Sequence, residues 1–187
     1  MTNAVNIDGT DAEDLTKATL TCRRQMDDIV KYLRNFVPGY EKCYVISSAS
    51  LMGIRETRHF KGKYTLNEQD ILEAKVFDDY VVKDAYFNFD VHNITGSGLD
   101  KTGVQKHFQQ DKGYTIPYGC LIPEIKENLL LCGRNISGTH MAHSNFRAMP
   151  ICVGIGEAAG VAAYIAVFNN CSLNDVDAKE IREIIGI

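Results

Sequence analysis

The feature that most limits the fold of this chain lies in its last third. An apolar run, Leu129–Cys132, ends at Gly133, and a polar turn then leads past Pro150 into a segment of small residues, Gly154–Ala163. A strand that stops at a glycine beside the start of a glycine-rich helix brings backbone N–H groups to an anionic ligand. The sequence therefore predicts a ligand site where these two segments meet.

Charge and composition restrict the partners and the compartment. The 187 residues include 20 Lys and Arg against 24 Asp and Glu, which gives a net charge of −4 without any block of like charge. We therefore expect neither nucleic acid nor a membrane as a partner. The N-terminus lacks a basic region and an apolar region, no uninterrupted run of 18 apolar residues follows, and a cytoplasmic protein is predicted. The six cysteines form no C-x-x-C pair and are expected to be reduced core residues.

Three helices are predicted from capping residues and apolar periodicity. Thr10 and Glu13 form a capping box before a long amphipathic helix, which should end at Pro38-Gly39. A second box at Thr65 predicts a short helix, and one at Asp177 predicts the last helix. A long helix of small residues is expected over 145–169, with Pro150 starting or interrupting it. A further helical turn is expected over 77–82.

Strands are predicted where apolar residues alternate or cluster. The segments concerned are 44–49, 53–60, 87–92 and 128–132, and 114–123 should be extended because of its prolines. The polar stretch 93–113 is expected to be a functional loop. The fold class is α+β, with a mixed or antiparallel sheet between the N-terminal helix and the C-terminal helices. The expected division is an N-terminal helix (1–40), an α+β substrate-type region (41–125) and a C-terminal segment of a cofactor-binding domain (126–187).

Several constellations allow more than one interpretation. The segment Gly154-x-Gly156-x-x-Ala159 matches the residue pattern of the dinucleotide-binding fingerprint, but no strand follows it at the distance that this motif requires. Glycines that permit close backbone approach are the better interpretation. His140-x-x-His143 could share a helical face around a metal, but no third ligand stands at a recognisable spacing, so no metal site is predicted. His140 at a cofactor edge and a structural histidine remain comparable alternatives.

Charged side chains supply the remaining candidates. Arg134 and Arg147 adjoin the glycine-rich segments and are predicted to grip a carboxylate or phosphate, whereas surface ion pairs are the alternative. For Arg55 and Arg58 the two interpretations are balanced. Asp90 and His92 would point to opposite faces of a strand, which argues against a direct acid–base pair.

Four separated motifs together resemble the family of FAD-dependent oxidoreductases, from about residue 11 to residue 168. They are Gly53–Arg58, Tyr114–Pro123, Gly133–His140 and Arg147–Gly160, in the order that the family shows. The resemblance implies a glutathione-reductase-like nucleotide domain with an inserted substrate domain, and FAD as the cofactor through which hydride moves. Gly119 stands where the family pattern has a basic residue, and His143 stands where it has a smaller or apolar one.

The resemblance also implies roles for individual residues. Cofactor contacts fall on Gly133, Arg134, Thr139, Gly154 and Gly156, and His140 would be the catalytic residue at the flavin. Substrate contacts fall on Arg55, Arg58 and Arg147.

The family begins with a strand and a G-x-G-x-x-G turn that holds the pyrophosphate, and this sequence shows neither before its first helix. We therefore expect the C-terminal part of an FAD-dependent oxidoreductase, inactive alone and binding FAD weakly. Its partner would be the missing N-terminal FAD-binding half, or a second copy in a homo-oligomer. The alternatives are a stand-alone, non-catalytic oligomerising or ligand-binding domain, and a small metal-dependent enzyme that uses His140 and His143.

Overall fold

The computed structural model describes residues 2–92 and 110–187, so most of the predicted functional loop lies outside the described residues. The chain divides into two compact units. Residues 2–57 belong to the first unit, and residues 58–92 with 110–187 belong to the second. The three-part division expected from the sequence stays a prediction. The α+β class is confirmed, because the described residues form helices and a small antiparallel sheet.

The first unit is built on one long helix, α1 (Ala12–Phe36). Asp11, not Thr10, caps it by accepting a hydrogen bond from the Asp14 backbone N–H at 2.9 Å. Its C-cap is Val37, directly before the predicted Pro38-Gly39 stop. The helix buries only Ala18 and Cys22, so most of its apolar face is open. The larger exposed members are Leu20, Ile29, Tyr32 and Phe36.

The strands predicted at 44–49 and 53–60 are wrong, since neither segment has strand structure. Tyr44 is 73% exposed and Ile46 is 89% exposed. An apolar run becomes a strand only where a neighbouring strand completes its hydrogen bonds and a core covers one face. In the described part of the chain no strand lies beside either segment.

The second unit contains the sheet and four helices among its described residues. Strand β1 (Tyr80–Ala85) pairs antiparallel with β2 (Tyr114–Pro117), in the register Tyr80↔Pro117, Val82↔Ile116 and Ala85↔Tyr114. The helices are α2 (Glu68–Leu72), α3 (His140–Phe146), α4 (Met149–Phe168) and α5 (Ala178–Ile185). Short 3-10 turns lie at Tyr118–Cys120, Gly133–Asn135 and Leu173–Asp175. Helix α4 packs on β1 and α5, and the core lies between them.

Among the remaining predictions, two helices are confirmed, and one helical turn and two strands are wrong. The short helix forms, but Asn67 caps it rather than Thr65, and Asp177 caps α5 as predicted. The helical turn predicted at 77–82 is wrong, because β1 occupies most of it. No strand forms over 87–91 or 128–132. Leu129 is 43% exposed, so the second of these segments has no core to cover it.

Helix α4 is the most apolar element described. Its most apolar window has a mean hydropathy of 1.9, so by length and composition alone it could cross a membrane. A core helix meets the same criterion, and the buried face of α4 packs in the core of the second unit.

Candidate functional site

The turn after Gly133 is held by backbone hydrogen bonds from two directions. Gly133 adopts a φ of +79° and starts the 3-10 turn, a conformation that glycine reaches without strain. Ser137 donates its backbone N–H to the carbonyl of Cys120 at 2.9 Å, and Thr139 donates to that of Leu66 at 2.8 Å. Ser137 is fully buried. The predicted site turn is therefore a fixed part of the second unit.

Thr139 serves as the N-cap of α3. Its side-chain oxygen accepts from the backbone N–H of Ala142 at 3.2 Å and donates to Glu68 Oε2 at 3.0 Å. A cap of this kind stabilises a helix by about 0.5–2 kcal/mol. The hydroxyl thus joins α3 to α2, and His140 follows as the first, exposed residue of the helix.

His143 and Gly138 are tightly packed at this turn. His143 is 4% exposed, and its ring lies 5.8 Å from that of His59 and 5.4 Å from that of Phe146. A Cβ on Gly138 would lie 2.5 Å from the Phe146 ring, so only glycine fits there. The buried His143 and the exposed His140 do not form a common ligand face. In the described part of the chain, no group of three or more His, Cys, Asp or Glu could hold a metal ion.

Helix α4 begins earlier than its glycines suggest. It starts at Met149, with Pro150 in its first turn, which is one to two helical turns before Gly154 and Gly156. A Cβ on Gly154 would make ordinary contact with Val82 of β1 at 3.6 Å, whereas nothing lies within 4 Å of one on Gly156. The free amides of the helix start therefore belong to the first turn and not to the glycines. An alanine would therefore fit at Gly154 against the sheet, and among the described residues Gly156 faces open space.

Two predicted arginines are brought to this helix start. Burial raises the pKa of the Cys152 thiol, while the charges of Arg134 and Arg147 lower it. Cys152 lies in the first turns of α4 and donates to the carbonyl of Phe146 at 3.5 Å. Both guanidinium groups therefore lie near this thiol, but the charge of Arg147 is offset by its ion pair with Asp90. The start of α4 itself favours an anionic group.

Arg147 also takes part in a cluster that sequence reasoning missed. Its Nη2 donates to the backbone carbonyl of Asp90 at 3.0 Å and forms an ion pair with Asp90 Oδ2. The other carboxylate oxygen, Oδ1, lies 3.1 Å from His92 Nε2. The prediction that Asp90 and His92 point to opposite faces is wrong, because residues two positions apart in an extended segment lie on the same side, and here their side chains meet. The spacing of two positions was a signal in the sequence that the two side chains could meet, but the contact itself is visible only in the structure.

A buried polar network under α3 was missed as well. Asn145 is fully buried and accepts from the Tyr114 hydroxyl at 2.8 Å, while its amide donates to the carbonyl of Phe87. Gln110 joins it by donating to the carbonyl of Ala85 at 2.7 Å. Burial raises the pKa of Tyr114 far above its usual range, so its hydroxyl stays protonated and can donate. The network holds α3 against the end of the sheet.

The two remaining candidates belong to different units. Arg55 is half-buried in the first unit, and Arg58 is an exposed residue of the second. Their role in substrate binding stays a prediction, as do the cofactor contacts of Gly133, Arg134, Thr139, Gly154 and Gly156 and the catalytic role of His140.

The second unit fits the flavin end of FAD in three respects. Among the described residues, nothing lies within 4 Å of a Cβ on Gly133 or Gly156, so a planar ring could approach both backbones. Arg134 is exposed next to the first of them. Positive charge at the helix start suits the electron-rich pyrimidine edge of a flavin. The fit concerns the ring end of the cofactor.

Comparison with known proteins agrees with these motifs. The family described as FAD dependent oxidoreductase matches residues 1–185, nearly the whole chain. No curated protein and no solved structure matches it. The cofactor of this family is FAD. The chain belongs to the family of FAD-dependent oxidoreductases.

Proposed function

We propose that this chain is the C-terminal part of an FAD-dependent oxidoreductase and supplies the contacts to the flavin ring. The pyrophosphate and adenosine would be held by an N-terminal half that another segment provides. The observation that carries this proposal is the open apolar face of α4. Met149 and Val167 are each 83% exposed, Val153 is 70% exposed and Tyr164 is 58% exposed.

That face runs along the whole helix. The four residues recur at steps of four, eleven and three positions, so they fall on one side of α4. No Cβ on Gly156 or Gly160 would touch anything within 4 Å. An exposed apolar stripe of this length indicates a surface that another protein segment covers. It starts beside the Arg134 and Arg147 charges, so the covering segment would also close the flavin site.

The bound cofactor would supply hydride transfer, and the residues of this chain would orient it. Gly133 and Gly156 would let the backbone approach the ring. Arg134 would offset the negative charge that develops on the pyrimidine when hydride arrives. His140, the exposed first residue of α3, is the proposed catalytic contact. Arg55, Arg58 and Arg147 are proposed for the substrate side, and we propose a cytoplasmic location without nucleic-acid or membrane partners.

A second candidate is a stand-alone, non-catalytic oligomerising or ligand-binding domain. The exposed apolar residues of α1 and α4 favour it, because apolar surfaces left open to solvent promote self-association. In that case a second copy of the chain would cover α4.

Titration of the purified chain with riboflavin and with FAD separates the two. If the chain contacts only the flavin ring, both ligands should bind weakly and with similar affinity, since the adenosine pyrophosphate adds no contacts. Arg134→Ala should weaken both, whereas the exposed control Lys126→Ala should weaken neither. FAD binding much tighter than riboflavin would refute the half-site proposal. No binding of either, with a dimer on size exclusion, would support the second candidate.

A further inference from the structure

Asp90, His92 and Arg147 form a linked charged cluster at the junction of α3 and α4. Arg147 is the C-cap of α3, two positions before α4 begins. Its guanidinium group holds both the carbonyl and the carboxylate of Asp90. The carboxylate is thereby fixed in position and its charge is offset, so it is not free to turn away from its second partner.

That second partner is the imidazole of His92. With Asp90 Oδ1 3.1 Å from Nε2, the carboxylate can only accept, so Nε2 carries the hydrogen and Nδ1 carries the lone pair of the neutral ring. Within residues 2–92 and 110–187, Nδ1 has no other hydrogen-bond partner. The side chain of His92 is 27% exposed, so a ligand can reach the ring. A carboxylate that fixes the tautomer of an accessible histidine is the arrangement of a general base.

We propose that His92 is the proton acceptor of the oxidation that this chain helps to catalyse, with Asp90 and Arg147 as positioning residues. This inference rests on the proposed function. The substrate class is a compound with a hydroxyl or amino group on a carbon that bears hydrogen. As the C–H bond breaks, its electron pair leaves as hydride to FAD. As the O–H or N–H bond breaks, its proton passes to Nδ1, and a C=O or C=N bond remains.

The position of the cluster agrees with this role. Arg147 acts electrostatically on Cys152 in the first turns of α4, the same helix start that is proposed to face the flavin ring. His92 is two hydrogen-bonded contacts away, through Asp90. When Nδ1 takes up a proton, the ring becomes a cation whose charge the Asp90 carboxylate stabilises.

The first part of the test uses the chain labelled with ¹⁵N-histidine. NMR at a pH at which the imidazole is neutral should show His92, assigned by its loss in His92→Gln, with hydrogen on Nε2 and a bare Nδ1. Asp90→Asn keeps the shape of the side chain and should shift the ring toward the other tautomer, because an amide can also donate. Hydrogen on Nδ1 in the wild type would overturn the inference and leave the proposed function intact.

The second part locates His92 relative to the flavin. Diethyl pyrocarbonate should modify His92 of the free chain, as read by mass spectrometry, and saturating riboflavin should slow this modification several-fold. Riboflavin that binds without protecting His92 would overturn the catalytic role alone. Failure of the wild type to bind riboflavin would overturn the proposed function, and the catalytic role with it.

Discussion

Replacement of Asn145 by alanine should destabilise the second unit more than any surface change. The substitution leaves the buried Tyr114 hydroxyl without its partner and also removes the hydrogen bond to the carbonyl of the exposed residue Phe87. Tyr114 and Asn145 both have an exposure of 0%, so water cannot replace the partner of the hydroxyl. A buried polar group left unsatisfied costs about 1–3 kcal/mol, and the loss of an ordinary hydrogen bond costs about 0.5–1.5 kcal/mol. We therefore expect the free energy of unfolding to fall by about 1.5–4.5 kcal/mol.

A double-mutant cycle with Tyr114→Phe isolates the mechanism. If the loss of stability comes from the Tyr114 hydroxyl that is left without a partner, Asn145→Ala should lower the free energy of unfolding less in the Tyr114→Phe background. The expected coupling energy is about 0.5–3 kcal/mol. Asn169→Ala is the matched control, because that side chain makes an exposed hydrogen bond at 3.2 Å, and its effect should stay within about 0.5 kcal/mol. Urea unfolding followed by circular dichroism measures the four proteins of the cycle and the control. Strict additivity of Asn145→Ala and Tyr114→Phe would refute the argument.

Three further predictions concern packing and titration. Gly138→Val should destabilise the second unit by about 1–3 kcal/mol, because the new side chain meets the Phe146 ring. Gly156→Ala should instead stabilise α4 by up to about 1 kcal/mol, because no described residue lies near the new side chain. Thermal unfolding compares the two variants. Burial raises the pKa of Tyr118 to about 12, so its contribution is complete below about pH 10, the value of an unfolded tyrosine, and is lost as pH rises to 12. Tyr118→Phe should therefore flatten the fall of stability with pH in that window, and an unchanged slope would contradict this. Arg134→Ala should raise the pKa of Cys152 further, seen as slower alkylation by iodoacetamide at a fixed pH; a faster reaction would place the arginine elsewhere.

Helices were predictable from the sequence because their signals are local. The ends of α1 follow from an acidic cap and from Pro38-Gly39, and α5 follows from Asp177. Such signals need only residues three or four positions apart. The cap at Asp11 in place of Thr10 is an error of one residue, which is ordinary at helix ends.

The sheet was not predictable by alternation because β1 is irregular. Asp84 adopts a φ of +52°, and the register shifts between Val82 and Ala85. A bulge of this kind breaks the alternation of inward and outward residues. The regular apolar runs at 44–49 and 128–132 lack a pairing strand, so a strong local pattern gave the wrong element.

The candidate site was also predictable only in part. The turn from Gly133 to Thr139 was visible as a motif, and the structure shows it fixed between Leu66 and Cys120. The contact of Arg147 with Asp90 spans 57 positions, and a single sequence contains no signal of such a pairing. Long-range polar contacts therefore had to come from the structure.

Helix α4 links the fold to the proposal. A helix that is apolar on all sides is normally covered on all sides, and Glu157 is its one charged residue. In the described part of the chain β1 and α5 cover one side, while the side with Met149 and Val167 stays open. A helix that only completed this unit would need polar residues on its outer face. The apolar outer face is explained if a second structural layer packs there, as a cofactor domain completed by another segment requires.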